Sequence, residues 1–230
     1  GWGRPAGGRA GTAGPRAGPG AGGLDLVGSG GWTGGLYECG GKGQVRDDRE
    51  AQDTMVITRA GSERVHDFAF RLAQRRQERG RPGQVTCVDK ANVFRSMAFF
   101  RKIFDERAKL FPHIEARHNY IDATALDMVR KPWDYDVLVT ENMFGDILSD
   151  LTAGLVGGMG MAPSGDIGDE HGLFQTCPGS APDIAGQGKP NPTATIIHAA
   201  KNADWIAQHT GMAEQARAAL LRTRPRTGDV

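Results

Sequence analysis

Residues 136–150 read DVLVTENMFGDILSD, a short apolar run followed directly by a stretch with helical spacing. Residues 136–140 are mostly β-branched or apolar, which predicts a buried strand. In residues 144–156 apolar side chains recur every three or four positions, which predicts a helix that ends before Gly157. A buried strand followed at once by a helix is the repeating unit of a parallel α/β sheet.

Two similar strand–helix units precede this one. Residues 84–88 predict a strand, and the apolar spacing of residues 94–111 predicts a helix that ends at Pro112. Residues 54–58 predict another strand, followed by a helix from about Ser62 that stops near residue 80. The alternation predicts an α/β fold, and such sheets bind ligands beyond the carboxyl ends of their strands.

The composition excludes several classes of protein. The chain has 28 Lys and Arg against 27 Asp and Glu, a net charge of +1 that does not suit a dedicated nucleic-acid binder. It contains no apolar run near the roughly 18 residues of a membrane span. Its three cysteines are far apart and form no CxxC pair, which argues against a disulfide framework and a structural zinc site. We therefore expect a cytoplasmic location and no nucleic-acid or membrane partner.

Residues 1–23 have a composition unlike the rest of the chain. They are almost entirely Gly, Ala, Pro and Arg, so ordering them costs about 1 kcal/mol or more per residue with few side chains to bury. We predict that this segment is disordered and serves as a linker. The alternative is an Arg- and Gly-rich arm for nucleic acid, which is less favoured because Trp2 is its one aromatic residue.

Two carboxylates stand one turn apart on the predicted helix of residues 144–156. Asp146 and Asp150 occupy positions i and i+4, where like charges repel by a few tenths of a kcal/mol. The pair makes physical sense if a divalent cation lies between the two side chains. An acidic helix face exposed to solvent is the alternative interpretation.

Polar residues also follow the other predicted strands. Lys90 comes directly after the strand of residues 84–88, where a partly desolvated lysine can act as a base or can simply extend into solvent. Asp122 closes a strand at residues 118–121 and by itself is more typical of a helix N-cap for residues 123–129. A loop of small residues at 179–188 would let backbone N–H groups approach a ligand, although ordinary glycine-rich turns explain it equally well.

Six segments together carry a family resemblance. They are TGGLY (33–37), VDKANVF (88–94), FDERAKLFP (104–112), DVLVTENMFGDILSDL (136–151), GLVGGMGMAPS (154–164) and GSAPDIAGQGKPNPTA (179–194). In this order they resemble the 3-isopropylmalate, isocitrate and tartrate/D-malate dehydrogenase family over roughly residues 24–208. The resemblance implies a two-domain parallel α/β fold and metal-dependent oxidative decarboxylation of a 2-hydroxy acid with NAD or NADP. It favours 3-isopropylmalate as substrate, with tartrate or D-malate, or an inactive fragment that still dimerises and binds metal, as alternatives.

The resemblance also implies roles for single residues. Asp146 and Asp150 would bind Mg²⁺ or Mn²⁺ together with Asp122 of the partner subunit, because the family builds its sites across a homodimer. Lys90 of the partner subunit would take the proton of the substrate hydroxyl. Tyr37 would protonate the enolate that remains after CO₂ leaves.

A further set of residues is implied at the cofactor. It comprises Asn92, Gly179, Ser180, Ala181, Pro182, Asp183, Ile184 and Asn191. Among them Asp183 favours NAD over NADP, because a carboxylate accepts from a ribose 2′-hydroxyl and repels a 2′-phosphate.

The chain departs from the family pattern before residue 33. Residues 1–23 stand in place of the first half of the cofactor domain, which in the family also carries arginines for the substrate carboxylates. Gly30 and Gly31 stand where the family has arginine and glutamate, and Pro178 replaces a histidine that packs on the adenine, so we expect weakened cofactor binding. The family layout predicts a dimerisation and catalytic domain at 24–157 and a partial cofactor-binding domain at 158–230.

Overall fold

A seven-stranded sheet with helices packed on both of its faces organises the chain. The structure is a computed structural model, and it describes residues 8–13, 26–31, 34–155, 157–158, 162–168, 170–174, 182–189 and 192–210. The strands are β1 (Gly8–Ala13), β2 (Leu26–Gly31), β3 (Gln44–Arg46), β4 (Glu50–Gln52), β5 (Gln84–Asp89), β6 (Glu115–Tyr120), β7 (Val137–Thr140), β8 (Ser164–Ile167) and β9 (Gly172–Leu173). The helices are α1 (Arg59–Gln77), α2 (Arg95–Ala108), α3 (Ile121–Arg130), α4 (Asn142–Leu155) and α5 (Thr193–Thr210).

The strand order is β6-β5-β7-β2-β1-β8-β9. The first four strands are parallel, so their carboxyl ends meet at one edge. β1 runs antiparallel to both β2 and β8, and β8 pairs antiparallel with β9. β3 and β4 form a separate hairpin. The predicted α/β class is confirmed, and its parallel part comprises four strands.

Every residue of β5 and β7 is buried, because helices cover both faces of these strands. On one face Val85 and Val137 belong to the core formed with α1 and α2. On the other face Val88 and Leu138 pack with buried residues of α3 and α4. Side chains on both faces of each strand are therefore buried, and in β5 these include the polar Gln84, Thr86 and Asp89.

A buried carboxylate fixes where these two strands begin. Asp136, immediately before β7, accepts a hydrogen bond from Nε of Arg76 at 2.5 Å. Its other oxygen accepts from the backbone N–H groups of Gly83 and Gln84 at 3.0 and 3.3 Å. The contact ties the end of α1 to the first residues of β5 and β7 and so sets their alignment.

The strand predicted at residues 54–58 is wrong. Only Val56 pairs there, in an isolated antiparallel bridge with Gly35. The end of the segment instead starts α1, since Thr58 is the N-cap and its Oγ1 accepts from the N–H of Gly61. The helix consequently begins at Arg59, three residues before the predicted start. β-branched residues suit any extended backbone, and among the residues that the structure describes only Gly35 pairs with this segment.

The structure also differs at residues 8–13, inside the segment predicted to be disordered. These residues form β1 between β2 and β8. Ladder hydrogen bonds use only backbone groups, so Gly and Ala can pair without side chains to bury. The rest of residues 1–23 lies outside the described residues. β8 and β9 join the same sheet through β1, and the division into domains near residue 157 stays a prediction.

Cys39 and Cys87 are free thiols, and Cys177 lies outside the described residues. Burial raises the pKa of the Cys87 thiol well above its usual value. Across the described ranges, none of the helices combines the length and the apolar character that crossing a bilayer requires.

His66 is a buried imidazole in the core between α1 and α2. Its ring centroid lies 4.3 Å from that of Phe100 and 5.3 Å from that of Phe104, both in edge-to-face geometry. Neither ring nitrogen has a hydrogen-bond partner among the described residues. Burial, followed by the positive charge of Arg107, lowers the pKa of His66 to about 3.

We expect His66 to make the fold sensitive to acid. A histidine of the unfolded chain titrates near pH 6.5, so between that pH and about 3 the unfolded state binds a proton that the folded state does not. The contribution to the free energy of unfolding is therefore complete above pH 6.5 and falls by up to ~1.4 kcal/mol per pH unit below it. His66→Leu should flatten the dependence of Tm on pH between 6.5 and 4, measured by circular dichroism.

The exposed His113 supplies a matched control. His113→Leu also removes one histidine, and it should keep the pH dependence of the parent. Equal slopes for the parent and His66→Leu would contradict the assignment of the acid sensitivity to the buried imidazole.

Candidate functional site

The predicted catalytic and metal-binding residues follow the carboxyl ends of parallel strands. β5 ends at Asp89 and is followed by Lys90, while β6 ends at Tyr120, two residues before Asp122. β7 leads through Glu141 into α4. Because these strands are adjacent and parallel, residues from distant parts of the sequence reach one edge of the sheet.

Lys90 and Asp122 form an ion pair at this edge. Nζ of Lys90 lies 2.5 Å from Oδ1 of Asp122, with the lysine mostly buried and the aspartate mostly exposed. The hydrogen bond from Lys90 is the main cause that holds the pKa of Asp122 below its usual value. The N-cap interpretation of Asp122 is wrong, because Tyr120 is the N-cap of α3 and Asp122 lies within the first turn. The side chain of Asp122 contacts Lys90 just beyond the end of β5, and backbone hydrogen bonds of residues 122 and 123 also lower its pKa.

A second ion pair, which the sequence did not reveal, involves the residue that directly precedes Lys90. The buried carboxylate of Asp89 accepts from Nε and Nη2 of Arg101 at 2.8 and 2.7 Å, and from the N–H of Ala91 at 2.8 Å. The guanidinium of Arg101 also lies 5.0 Å from the ring centroid of Tyr120, and Nζ of Lys90 lies 5.8 Å from the same centroid. The available signal was Asp89 itself, since a carboxylate at the end of a buried strand needs a cationic partner.

Asp146 and Asp150 lie one turn apart on α4, half-buried and exposed respectively. α4 contains no Lys or Arg, so the helix supplies no cation of its own to balance them. Carboxylate oxygens at this spacing fit Mg²⁺ or Mn²⁺. Within the described part of one chain, no three His, Cys, Asp or Glu side chains lie close enough to hold a metal ion together. The contribution of a third ligand, Asp122 of the partner subunit, stays a prediction.

Glu141 is a buried carboxylate at the start of α4 that the sequence interpretation missed. Its Oε1 accepts from the N–H of Phe144 at 2.8 Å, and its Oε2 accepts from the N–H of Met143 at 3.1 Å. The pKa of Glu141 is raised above its usual value, and burial is the main cause. The two N–H donors partly oppose this rise, while the charge of Asp146 adds to it. Gly35 packs against this carboxylate. A glutamate directly after a buried strand was the one sequence signal for it.

The remaining predicted residues lie in turns. Tyr37 is exposed and begins a 3-10 turn shortly after Gly35. Asn92 is exposed in the turn that follows Lys90, where the N–H of Val93 donates to the carbonyl of Lys90.

Part of the predicted cofactor loop is also visible. Residues 182–184 (Pro182, Asp183 and Ile184) form a 3-10 turn in which Asp183 is exposed. Gly179, Ser180, Ala181 and Asn191 lie outside the described residues. The structure therefore leaves the predicted cofactor set as a prediction.

Comparisons with known proteins agree with this arrangement. The family model described as isocitrate/isopropylmalate dehydrogenase matches residues 13–230. The 3-isopropylmalate/3-methylmalate dehydrogenase of Methanocaldococcus jannaschii is 53% identical over 147 residues, which cover 64% of the chain and 44% of that relative. The 3-isopropylmalate dehydrogenase of Carboxydothermus hydrogenoformans is 41% identical over 204 residues, which cover 86% of the chain and 53% of that relative.

A solved structure is similar as well. The crystal structure of isocitrate dehydrogenase from Methylococcus capsulatus matches with a TM-score of 0.76 and 39% identity, covering 91% of the chain and 61% of that structure. The chain spans about half the length of the curated relatives it matches.

We expect Mn²⁺ to stabilise the chain through the carboxylates of α4. A ligand that binds only the folded state raises Tm, so adding Mn²⁺ should raise the Tm of the parent in differential scanning fluorimetry. Asp146→Asn and Asp150→Asn each remove an anionic ligand and should abolish that shift. Asp48→Asn removes an exposed carboxylate in the turn between β3 and β4 and should retain it. Equal shifts in the parent and in both α4 variants would exclude a metal site on this helix.

Proposed function

The chain belongs to the isocitrate/isopropylmalate dehydrogenase family, and on this premise we propose that it catalyses the oxidative decarboxylation of a malate-type 2-hydroxy acid with NAD. The contact between Lys90 and Asp122 is the observation that supports this most directly. It holds a candidate base and a candidate metal ligand side by side at the carboxyl ends of adjacent strands. These are the two kinds of group that removal of a hydroxyl proton near a metal ion requires.

We propose 3-isopropylmalate as the substrate. Two of the similar proteins named above carry this acid in their names, and they are 53% and 41% identical to the chain over 147 and 204 residues. Tartrate and D-malate share the same reacting 2-hydroxy acid group, so they are the alternatives to compare. The side group that distinguishes these acids is apolar in 3-isopropylmalate and polar or absent in the other two.

Mg²⁺ or Mn²⁺ would be held by Asp146 and Asp150 together with Asp122 of the partner subunit. When bound, the ion supplies a Lewis acid that binds oxygens of the substrate and stabilises negative charge on them. The two α4 carboxylates fit this task because they are one turn apart and carboxylate oxygens are ligands that these ions prefer.

The chain itself would move two protons. Lys90 would accept the proton of the substrate hydroxyl as NAD receives the hydride. Nζ of Lys90 lies 2.5 Å from Oδ1 of Asp122, a contact that would hold the amine at this edge of the sheet. Tyr37, exposed in the turn after Gly35, would donate a proton to the carbon left by the departing CO₂.

Asp183 would select the cofactor. Its carboxylate is exposed in the 3-10 turn of residues 182–184, where it can accept from a ribose 2′-hydroxyl. The same negative charge repels a 2′-phosphate, so we propose NAD rather than NADP as the hydride acceptor.

We also propose that two copies of the chain pack together through α3 and α4. Both helices expose apolar side chains on the side of the sheet that they cover, namely Leu126, Val129 and Ile147. Exposed apolar groups that recur on neighbouring helices are typical of an interface. Such a homodimer would bring Lys90 and Asp122 of one subunit toward α4 of the other, and would share the active sites between them.

Leu126→Asp should convert the dimer to a monomer, because it places a charge in the centre of the α3 face. The molar mass in size-exclusion chromatography with light scattering reports the change. Leu126 and Leu110 are 55% and 59% exposed, so Leu110→Asp, just after α2, is a matched control and should remain dimeric. Dimers of equal stability in both variants would argue against an interface on α3.

Turnover is tested by the rise in absorbance at 340 nm with NAD and Mn²⁺. We expect NADH formation with 3-isopropylmalate to exceed that with tartrate or D-malate. Lys90→Ala should lower kcat by about 10²-fold or more, the contribution typical of a general base, while the Tm shift with Mn²⁺ remains. Lys109→Ala, at an exposed position, should change neither quantity.

A second candidate function is a module that dimerises and binds metal without turnover. A metal-dependent Tm shift without NADH formation from any of the three acids would support it and would contradict the proposed activity of this chain.

A further inference from the structure

The first turn of α4 is capped by an unusual residue. Ser, Thr, Asp and Asn are the common N-caps, because their short side chains reach the N–H groups of the first turn. Here the longer Glu141 bonds to Met143 and Phe144 while remaining almost completely buried, with 3% of its surface exposed. Burying a carboxylate costs free energy. We therefore expect Glu141 to have a role at this position in addition to capping α4.

The loop after β2 indicates that role, because it packs directly on the carboxylate of Glu141. A Cβ atom built on Gly35 would overlap with Oε2 of Glu141, and Gly35 has a φ of +74°, a conformation that favours glycine. Gly35 also exchanges two backbone hydrogen bonds with Val56, at 2.7 and 3.2 Å. The loop is therefore fixed on its other side and cannot easily move away from Glu141.

Other packing around the carboxylate is incomplete. A small cavity borders it, lined in part by Gly34, Ser62 and Thr140. Oγ1 of Thr140 is buried and has no hydrogen-bond partner among the described residues. The position of Glu141 consequently depends on the two N–H groups of α4 and on the close approach of Gly35.

We propose that the contact between Glu141 and Gly35 positions α4 relative to the loop that carries Tyr37, and thereby sets the metal-binding geometry of Asp146 and Asp150. Asp146 lies in the second turn of α4, within one turn of the capped N–H groups, and Tyr37 lies two residues after Gly35. The inference rests on the proposed function, because it assumes that α4 carries the metal ligands. Glu141 is in this sense a positioning residue, and it acts through the helix that it caps.

Gly35→Ala tests the proposal without altering any carboxylate. The added methyl group must displace Glu141, whereas Gly41→Ala is a matched control, since Gly41 has the same φ of +74° with open space around it. Loss of an indirect support of a metal ligand typically lowers metal affinity 10–100-fold, so we expect the Kd for Mn²⁺ to rise about tenfold in Gly35→Ala. The Kd of Gly41→Ala should stay within about twofold of the parent, because the two variants share the backbone penalty alone. Electron paramagnetic resonance of free Mn²⁺ measures both.

Hydrogen exchange in the absence of metal gives an independent readout. Glu141→Gln retains the shape of the side chain but has one carbonyl oxygen in place of two acceptors. The amides of Met143 and Phe144 should exchange faster in Glu141→Gln and Gly35→Ala than in the parent and Gly41→Ala, as followed by mass spectrometry of peptides covering residues 141–150.

The outcomes separate this inference from the proposed function. Mn²⁺ binding by the parent, with the same Kd and the same exchange rates in Gly35→Ala and Gly41→Ala, would overturn the positioning role and leave the metal site intact. A parent that does not bind Mn²⁺ would overturn the metal site and with it the assignment of ligand geometry to this contact. Faster exchange in Gly35→Ala together with weaker Mn²⁺ binding supports the metal site on α4 and the positioning role of the contact.

Discussion

The alignment of the two central strands depends on the buried carboxylate of Asp136. It accepts from Arg76 at the end of α1 and from the N–H groups of Gly83 and Gln84 at the start of β5, while it directly precedes β7. Leaving such a carboxylate without donors would cost roughly 3–5 kcal/mol, so alternative alignments of β5 and β7 are strongly disfavoured. Once both strands start together and run parallel, their carboxyl ends must meet at the opposite edge. The geometry of the candidate site is thus set by an interaction on the far side of the sheet.

At the site itself, a buried and hydrogen-bonded carboxylate directly precedes both Lys90 and α4. Lys90 follows Asp89, whose carboxylate is fixed by two bonds from Arg101. α4 follows Glu141, whose carboxylate is fixed by helix N–H groups and by the packing of Gly35. Buried hydrogen-bonded groups have few alternative positions, so they orient the chain better than an exposed side chain does. The rigidly held carboxylates of Asp89 and Glu141 thus lie within one residue or about one helical turn of groups that would contact substrate and metal.

Sequence reasoning succeeded where a signal is local. Apolar runs and helical spacing located β5, α2, β7 and α4, and Lys90 does come directly after β5, while its role as a base stays a prediction. It failed at residues 54–58, because β-branched side chains indicate extended backbone but not whether a partner strand is present. It also missed the contact between Glu141 and Gly35, because these residues are far apart in the sequence and come together only in the folded chain. No sequence pattern around either residue predicts that it contacts the other.

α4 reconciles two opposing requirements. Glu141 directly precedes the helix and Asp146 and Asp150 lie within it, and the like-charge pair of Asp146 and Asp150 at i and i+4 costs a few tenths of a kcal/mol. The opposite face buries Phe144 and Leu148, and burial of such side chains contributes about 1.5–3 kcal/mol each. Apolar packing therefore outweighs the repulsion, and the helix can form before any cation arrives. A metal ion would then meet carboxylates that are already held in place, so its affinity depends on how accurately the helix is positioned rather than on whether it folds.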